Sequence, residues 1–78
     1  MTPARKEPNM ETYSGRFAAR LRELREKANL SQAEAAESIG VSQNTVSRWE
    51  TGDRQPNLEQ FPKIAEAYRL KRPKDLLP

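Results

Sequence analysis

Seventy-eight residues, 35% of them hydrophobic and 32% charged, leave room for one small apolar core and therefore one domain. Cysteine and histidine are both absent, which excludes disulfides, thiolate or imidazole metal sites, and nucleophiles of the Cys or Ser–His kind, so neither enzyme activity nor a metal or other cofactor is expected. The formal charge of +3 permits a polyanionic partner, while no apolar run approaches the roughly 18 residues of a membrane span and Met1–Asn9 lacks the apolar segment of a secretory signal, so a cytoplasmic chain with no membrane partner is expected.

The first thirteen residues carry Pro3 and Pro8, with Met10 and Tyr13 as their only large apolar side chains after Met1, and read as a flexible N-terminal arm ahead of a domain over residues 14–78. Ser14 then offers a helix cap. Phe17, Leu21, Leu24 and Ala28 recur at helical spacing, with arginines between them, up to about Asn29, a residue that tolerates the left-handed conformation found just past helix ends. Ser31 with Glu34 three residues on is a capping box for a second helix through Ala33, Ala35, Ala36 and Ile39, which Gly40 stops. Ser42 caps a third helix, Gln43 to about Thr51, closed by Gly52. At about 100° per residue, Val46, Trp49 and Glu50 fall on one side of it, with Gln43, Asn44, Ser47 and Arg48 opposite. Only Gly40 and Val41 separate the second helix from the third, so the two must cross at a large angle.

Asp53–Pro56 reads as a loop, and Asn57 caps a fourth helix that turns Leu58, Phe61, Ile64, Ala65 and Tyr68 inward. Pro62 lies four residues after Leu58, where its ring collides with a helical carbonyl, and predicts an irregular first turn or a kink. Pro73 suits the start of a last short helix, Pro73–Leu77, with Leu76 and Leu77 capping the core. The sequence shows no strand signal and no internal repeat.

Three stretches then combine: Leu30-Ser31-Gln32-Ala33-Glu34-Ala35-Ala36, Ile39-Gly40-Val41-Ser42, and Val46-Ser47-Arg48-Trp49-Glu50-Thr51-Gly52. Small residues, a glycine and aliphatics at this spacing describe two helices that touch near their crossing. The whole closely resembles the DNA-binding domains of phage repressor and Cro type (XRE-like) regulators, from about Phe17 to Leu77. That resemblance implies an all-α, five-helix, lambda-repressor-like domain whose helix-turn-helix runs from Ser31 to Gly52, with Ser42–Glu50 in the major groove of double-stranded DNA. One departure is Ala35, where the family usually carries a larger aliphatic side chain.

The resemblance also implies roles. Gln32 is similar to a family residue that contacts the DNA backbone and braces a reading side chain; its amide and the free N–H groups of the helix start suit a phosphate. Ser42 opens the recognition helix, the amides of Gln43 and Asn44 match adenine, and Arg48 matches guanine O6 and N7. Ser47 is small enough to let the helix approach, and Thr45 points toward a phosphate or a thymine methyl. Arg54, Gln55 and Asn57, in the loop after the third helix, look like backbone contacts. Arg25 and Glu50 resemble a family ion pair tying the first helix to the third, and Trp49 belongs to the core. The implied function is a sequence-specific transcriptional regulator of repressor type, acting as a homodimer on paired half-sites with Tyr68–Leu77 as its interface. The alternative is an antitoxin or co-activator scaffold working through protein contacts, since one fold hosts both. No small-molecule site is evident.

Overall fold

Thr12, two residues before the expected Ser14, starts the first helix in the computed structural model, which describes residues 7–78. The Thr12 hydroxyl accepts the Gly15 N–H at 2.9 Å and itself donates to the Asn9 carbonyl at 2.9 Å. Asn9 closes the turn by accepting the Glu11 N–H on its side chain and the Thr12 N–H on its carbonyl. Ser14 therefore lies inside the first turn of α1 (Tyr13–Lys27). Of the expected arm, Met1–Lys6 lie outside the described residues.

α1 ends where expected. Asn29 has φ +62°, and its N–H and that of Leu30 return to the carbonyls of Glu26 and Arg25. α2 (Gln32–Ile39) begins on a complete capping box, with the Glu34 N–H on Ser31 Oγ at 3.0 Å and the Ser31 N–H on the Glu34 carboxylate at 2.8 Å. Gly40 closes it at φ +91°, a conformation that costs any residue with a Cβ about 1–2 kcal/mol. α3 (Gln43–Thr51) starts on Ser42, whose Oγ accepts the Thr45 N–H at 3.1 Å.

The second half has the irregular start that Pro62 predicts and departs from expectation at Leu58, which is exposed rather than turned inward, and at the last turn. The helix expected from Leu58 is split into a 3-10 turn, Leu58–Gln60, capped by Asn57, and α4 (Phe61–Ala67). Pro62 thereby falls in the first turn of α4, where no helical hydrogen bond needs its nitrogen. The expected fifth helix is a 3-10 turn, Pro73–Leu76. The described residues thus hold four α-helices and two 3-10 turns, with no strand.

One core joins the four α-helices and the last 3-10 turn. Phe17, Leu21 and Leu24 of α1 meet Ala35, Ala36 and Ile39 of α2, Val46 and Trp49 of α3, Ile64 and Tyr68 at α4, and Leu76. Removing side chains as large as Leu21, Ile64 and Leu76 from water contributes about 1.5–3 kcal/mol each. Phe61 stacks on Phe17 with ring centroids 5.7 Å apart. Leu77, expected to cap the core, is instead exposed, because the chain turns extended after Leu76. The last turn is held to α1 by Arg20, whose guanidinium donates to the Asp75 carbonyl at 3.2 Å.

Two measurements check this account. A β-carbon on Gly15 would stand 1.7 Å from the Asn9 carbonyl oxygen, so Gly15→Ala must push the Asn9–Thr12 turn off α1. Alanine's helix preference offsets that loss by about 1 kcal/mol. Global stability should therefore change little, while amide exchange at Glu11 and Thr12 accelerates; unchanged exchange there would show the turn is not seated on Gly15. At α2, the Ser31 N–H and then the Ser31 hydroxyl hold the Glu34 carboxyl below the usual carboxylate range. A carboxyl lowered in the folded state contributes stability above its unfolded pKa and loses it as pH falls through the folded value. Glu34→Gln should thus remove stability at neutral pH and little in acid below that value, read from melts of both proteins across the acid range with the carboxyl followed by NMR.

Candidate nucleic-acid interface

Glu50 is the buried end of the candidate reading helix. Its side chain is 1% exposed, and Arg25 on α1 grips both carboxylate oxygens, Nε to Oε2 at 2.6 Å and Nη2 to Oε1 at 3.0 Å. The remaining guanidinium nitrogen, Nη1, donates to the Leu30 carbonyl at 2.7 Å, so one arginine joins α1, the α1–α2 connection and α3. The bond to Glu50 raises the Arg25 pKa further above its already high value, against the opposing effect of burial. Nearby, burial pushes the Tyr68 phenol well above its ordinary pKa, so it stays neutral.

With Val46, Trp49 and Glu50 turned inward, the rest of α3 faces out. Gln43, Asn44 and Arg48 are exposed, and Ser47 and Thr45 are half-buried. Ser42 spends its hydroxyl locally, on the Thr45 N–H and within 2.8 Å of the Thr45 hydroxyl, which fixes both side chains at the start of the helix. The Arg48 carbonyl accepts the Arg54 N–H at 3.2 Å and the Thr51 hydroxyl at 3.2 Å, folding the loop back along the helix end.

That fold-back forms an open concavity of about 350 Å³ lined by Asn44, Thr45, Arg48, Arg54, Gln55 and Asn57, with the edge of Trp49 and with Gln60. Six of the ten candidate residues from the sequence therefore share one hollow beside the exposed face of α3. Ser42, Gln43 and Ser47 lie along α3 outside its lining, and Gln32 lies on α2. Gln60 is the residue the sequence reading missed. It completes a capping box with Asn57, the Asn57 N–H on Gln60 Oε1 at 2.9 Å and the Gln60 N–H on Asn57 Oδ1 at 3.0 Å, and the Asn-x-x-Gln spacing could have signalled it. Asn57 has committed its backbone N–H and Oδ1 to this cap, so its side-chain NH₂ is the donor left to face the hollow.

Gln32 stands apart. Its amide nitrogen donates to Glu50 Oε1 at 3.1 Å, within the buried network, and its side chain is half-buried. None of the ten candidates is acidic, so the surface offers amides, hydroxyls and two guanidinium groups.

Comparison with known proteins gives the family of the chain. The helix-turn-helix family matches residues 21–75. Over 52 residues the chain is 40% identical to the transcriptional repressor RstR of the cryptic phage CTXphi of Vibrio cholerae, covering 67% of this chain and 47% of RstR. The crystal structure of the P22 c2 repressor in complex with synthetic operator 9T is similar at a TM-score of 0.71 and 31% identity, over 78% of this chain and 91% of that one. Hydroxypropylphosphonic acid epoxidase from S. wedmorenis reaches a TM-score of 0.75 at 30% identity over 88% of this chain, but only 36% of the epoxidase is covered. The chain spans 26% to 47% of the length of the curated relatives it matches, which are transcriptional regulators. No helix among the described residues is long and apolar enough to cross a membrane.

Because the Arg25–Glu50 pair is buried, removing one partner strands a charge in the core, which costs about 3–5 kcal/mol and is comparable with the whole stability of so small a domain. Arg25→Ala should be largely unfolded at 37 °C. Arg25→Met combined with Glu50→Leu should recover much of the loss, since neither residue then leaves a charge unpaired. Denaturant melts of the single and double variants measure the coupling, and additive effects would show that the pair contributes nothing as a pair.

Proposed function

Since the chain belongs to the helix-turn-helix family, we propose that it is a cytoplasmic, sequence-specific double-stranded DNA-binding protein that regulates transcription as a repressor, with α3 in the major groove. The observation that carries this reading is the outward face of α3, which presents Gln43, Asn44 and Arg48 to solvent without an acidic residue while Arg25 holds the opposite face in the core. Glutamine and asparagine amides pair bidentately with adenine, and arginine with guanine. The half-buried Ser47 lets the helix lie close to base edges. The loop beside it supplies Arg54, Gln55 and Asn57, suited to phosphate and sugar contacts that set register without reading sequence. RstR and the operator-bound P22 c2 repressor support repression as the outcome of binding.

One α3 in one groove offers less contact than specific affinity usually needs, so two copies act together on paired half-sites about one helical turn apart. The exposed Leu77 and the half-buried Leu70 in the C-terminal segment suit the contact between them. The protein-interaction scaffold has no comparable support, because a surface selected for protein contacts has no need of an acid-free row of amides.

Titrations separate reading from holding. Arg48→Ala and Gln43→Ala should each shrink discrimination between a cognate duplex and one substituted at a single position by about 1–3 kcal/mol, with affinity for random DNA little changed. Arg54→Ala should instead weaken binding to all duplexes and lower the salt slope by about one unit. Equal losses on cognate and random DNA for Arg48→Ala and Gln43→Ala would remove α3 as the reader.

A further inference from the structure

The two helices of the helix-turn-helix form two sides of a triangle. α2 and α3, 8 and 9 residues long, meet at the Gly40–Val41 connection. Their far ends are held by neither that connection nor a second stretch of backbone. Gln32 is the first residue of α2 and Glu50 the last but one of α3, and their side chains meet across the open end, Gln32 Nε2 to Glu50 Oε1 at 3.1 Å. We infer that Gln32 is a positioning residue, a strut that closes this triangle and sets the angle between α2 and α3.

The geometry of Glu50 makes the strut rigid. Arg25 fixes both carboxylate oxygens from α1, so the acceptor cannot swing to follow a moving Gln32. A half-buried amide that gives up a hydrogen bond to a charged acceptor loses more than one bonded to a neutral group. The amide nitrogen carries two hydrogens, and the one on Glu50 is committed to the buried network whatever the other meets. At the same time, the angle the strut sets decides where the face bearing Gln43, Asn44 and Arg48 lies relative to the start of α2. Base-edge hydrogen bonds tolerate displacements of a few tenths of an ångström, whereas the attraction of a guanidinium for phosphate is long-ranged. Loss of the strut therefore affects discrimination more than general affinity.

This inference rests on the DNA-binding reading, and its test has one arm independent of DNA. Gln32→Met keeps the length and volume of the side chain and removes the donor. Residual dipolar couplings measure the α2–α3 angle in the free protein, and duplex titrations use the sequence selected from random DNA, single-position substitutions of it, and random DNA. The expected result is a shifted or broadened angle together with a fall of about three- to tenfold in the cognate-to-substituted ratio, the scale of one hydrogen bond, with random-duplex affinity within about twofold of wild type. Equal weakening on every duplex would make Gln32 a phosphate holder and overturn the strut. Unaltered couplings overturn it too, as does a ratio that stays at its wild-type value. If the angle shifts but the wild-type protein binds no duplex, the strut stands and the DNA reading falls.

Discussion

Everything in this domain is arranged around one buried carboxylate, gripped on both oxygens by a single guanidinium. Glu50 sits on a helix whose other side faces solvent, in a core of aliphatic and aromatic side chains, and Arg25 reaches it from α1 with a paired, planar grip. An apolar pair of similar volume could bury as much surface and cost less to desolvate. It would lack direction, however. Two parallel N–H···O bonds fix rotation as well as distance, and the third nitrogen, on the Leu30 carbonyl, extends the same constraint to the chain entering α2. The orientation of the exposed face of α3 is in this sense decided from inside the protein.

Much of this was legible in the sequence because helix ends are written locally. Ser31 with Glu34, Ser42 before Thr45, Asn29 past α1 and Gly40 past α2 each act within four residues, and each is found in that role. The errors arise where two local signals compete or where the partner is distant in sequence. Thr12 and Ser14 are both good caps, and the choice between them turns on the Asn9 carbonyl and the bare surface of Gly15. Pro73 suited the start of a helix over Pro73–Leu77, but the backbone turns extended at Leu77, and so short a run completes too few bonds to repay helix nucleation, leaving a 3-10 turn. At the candidate site the outward face of α3 follows from periodicity alone. The partner of Gln32 does not, since Glu50 lies 18 positions away and the same amide suits a phosphate equally well.

The surface chemistry divides in two. Amides and hydroxyls exchange hydrogen bonds with water for hydrogen bonds with a ligand, at small net gain, and so discriminate better than they attract. The guanidinium groups of Arg48 and Arg54 attract from a distance but distinguish little unless they are oriented. Placing both kinds around one hollow, with the Arg48 carbonyl pinning the Arg54 backbone, couples a long-range charge to a short-range reader. The cap made by Asn57 and Gln60 holds the far wall of that hollow without using a charge.

The two-residue connection between α2 and α3 has a consequence for how such a chain can evolve. The N–H groups of Gly40 and Val41 both return to the Ala36 carbonyl, so no slack remains to absorb a change in length. One residue inserted there has to bulge outward or displace the start of α3, and one inserted within α3 would turn Glu50 by about 100° about the helix axis, away from Arg25. Point substitutions on the outward face, by contrast, leave the frame untouched. Lineages of this domain should therefore drift freely in what α3 displays while the count of residues from Arg25 to Glu50 stays fixed.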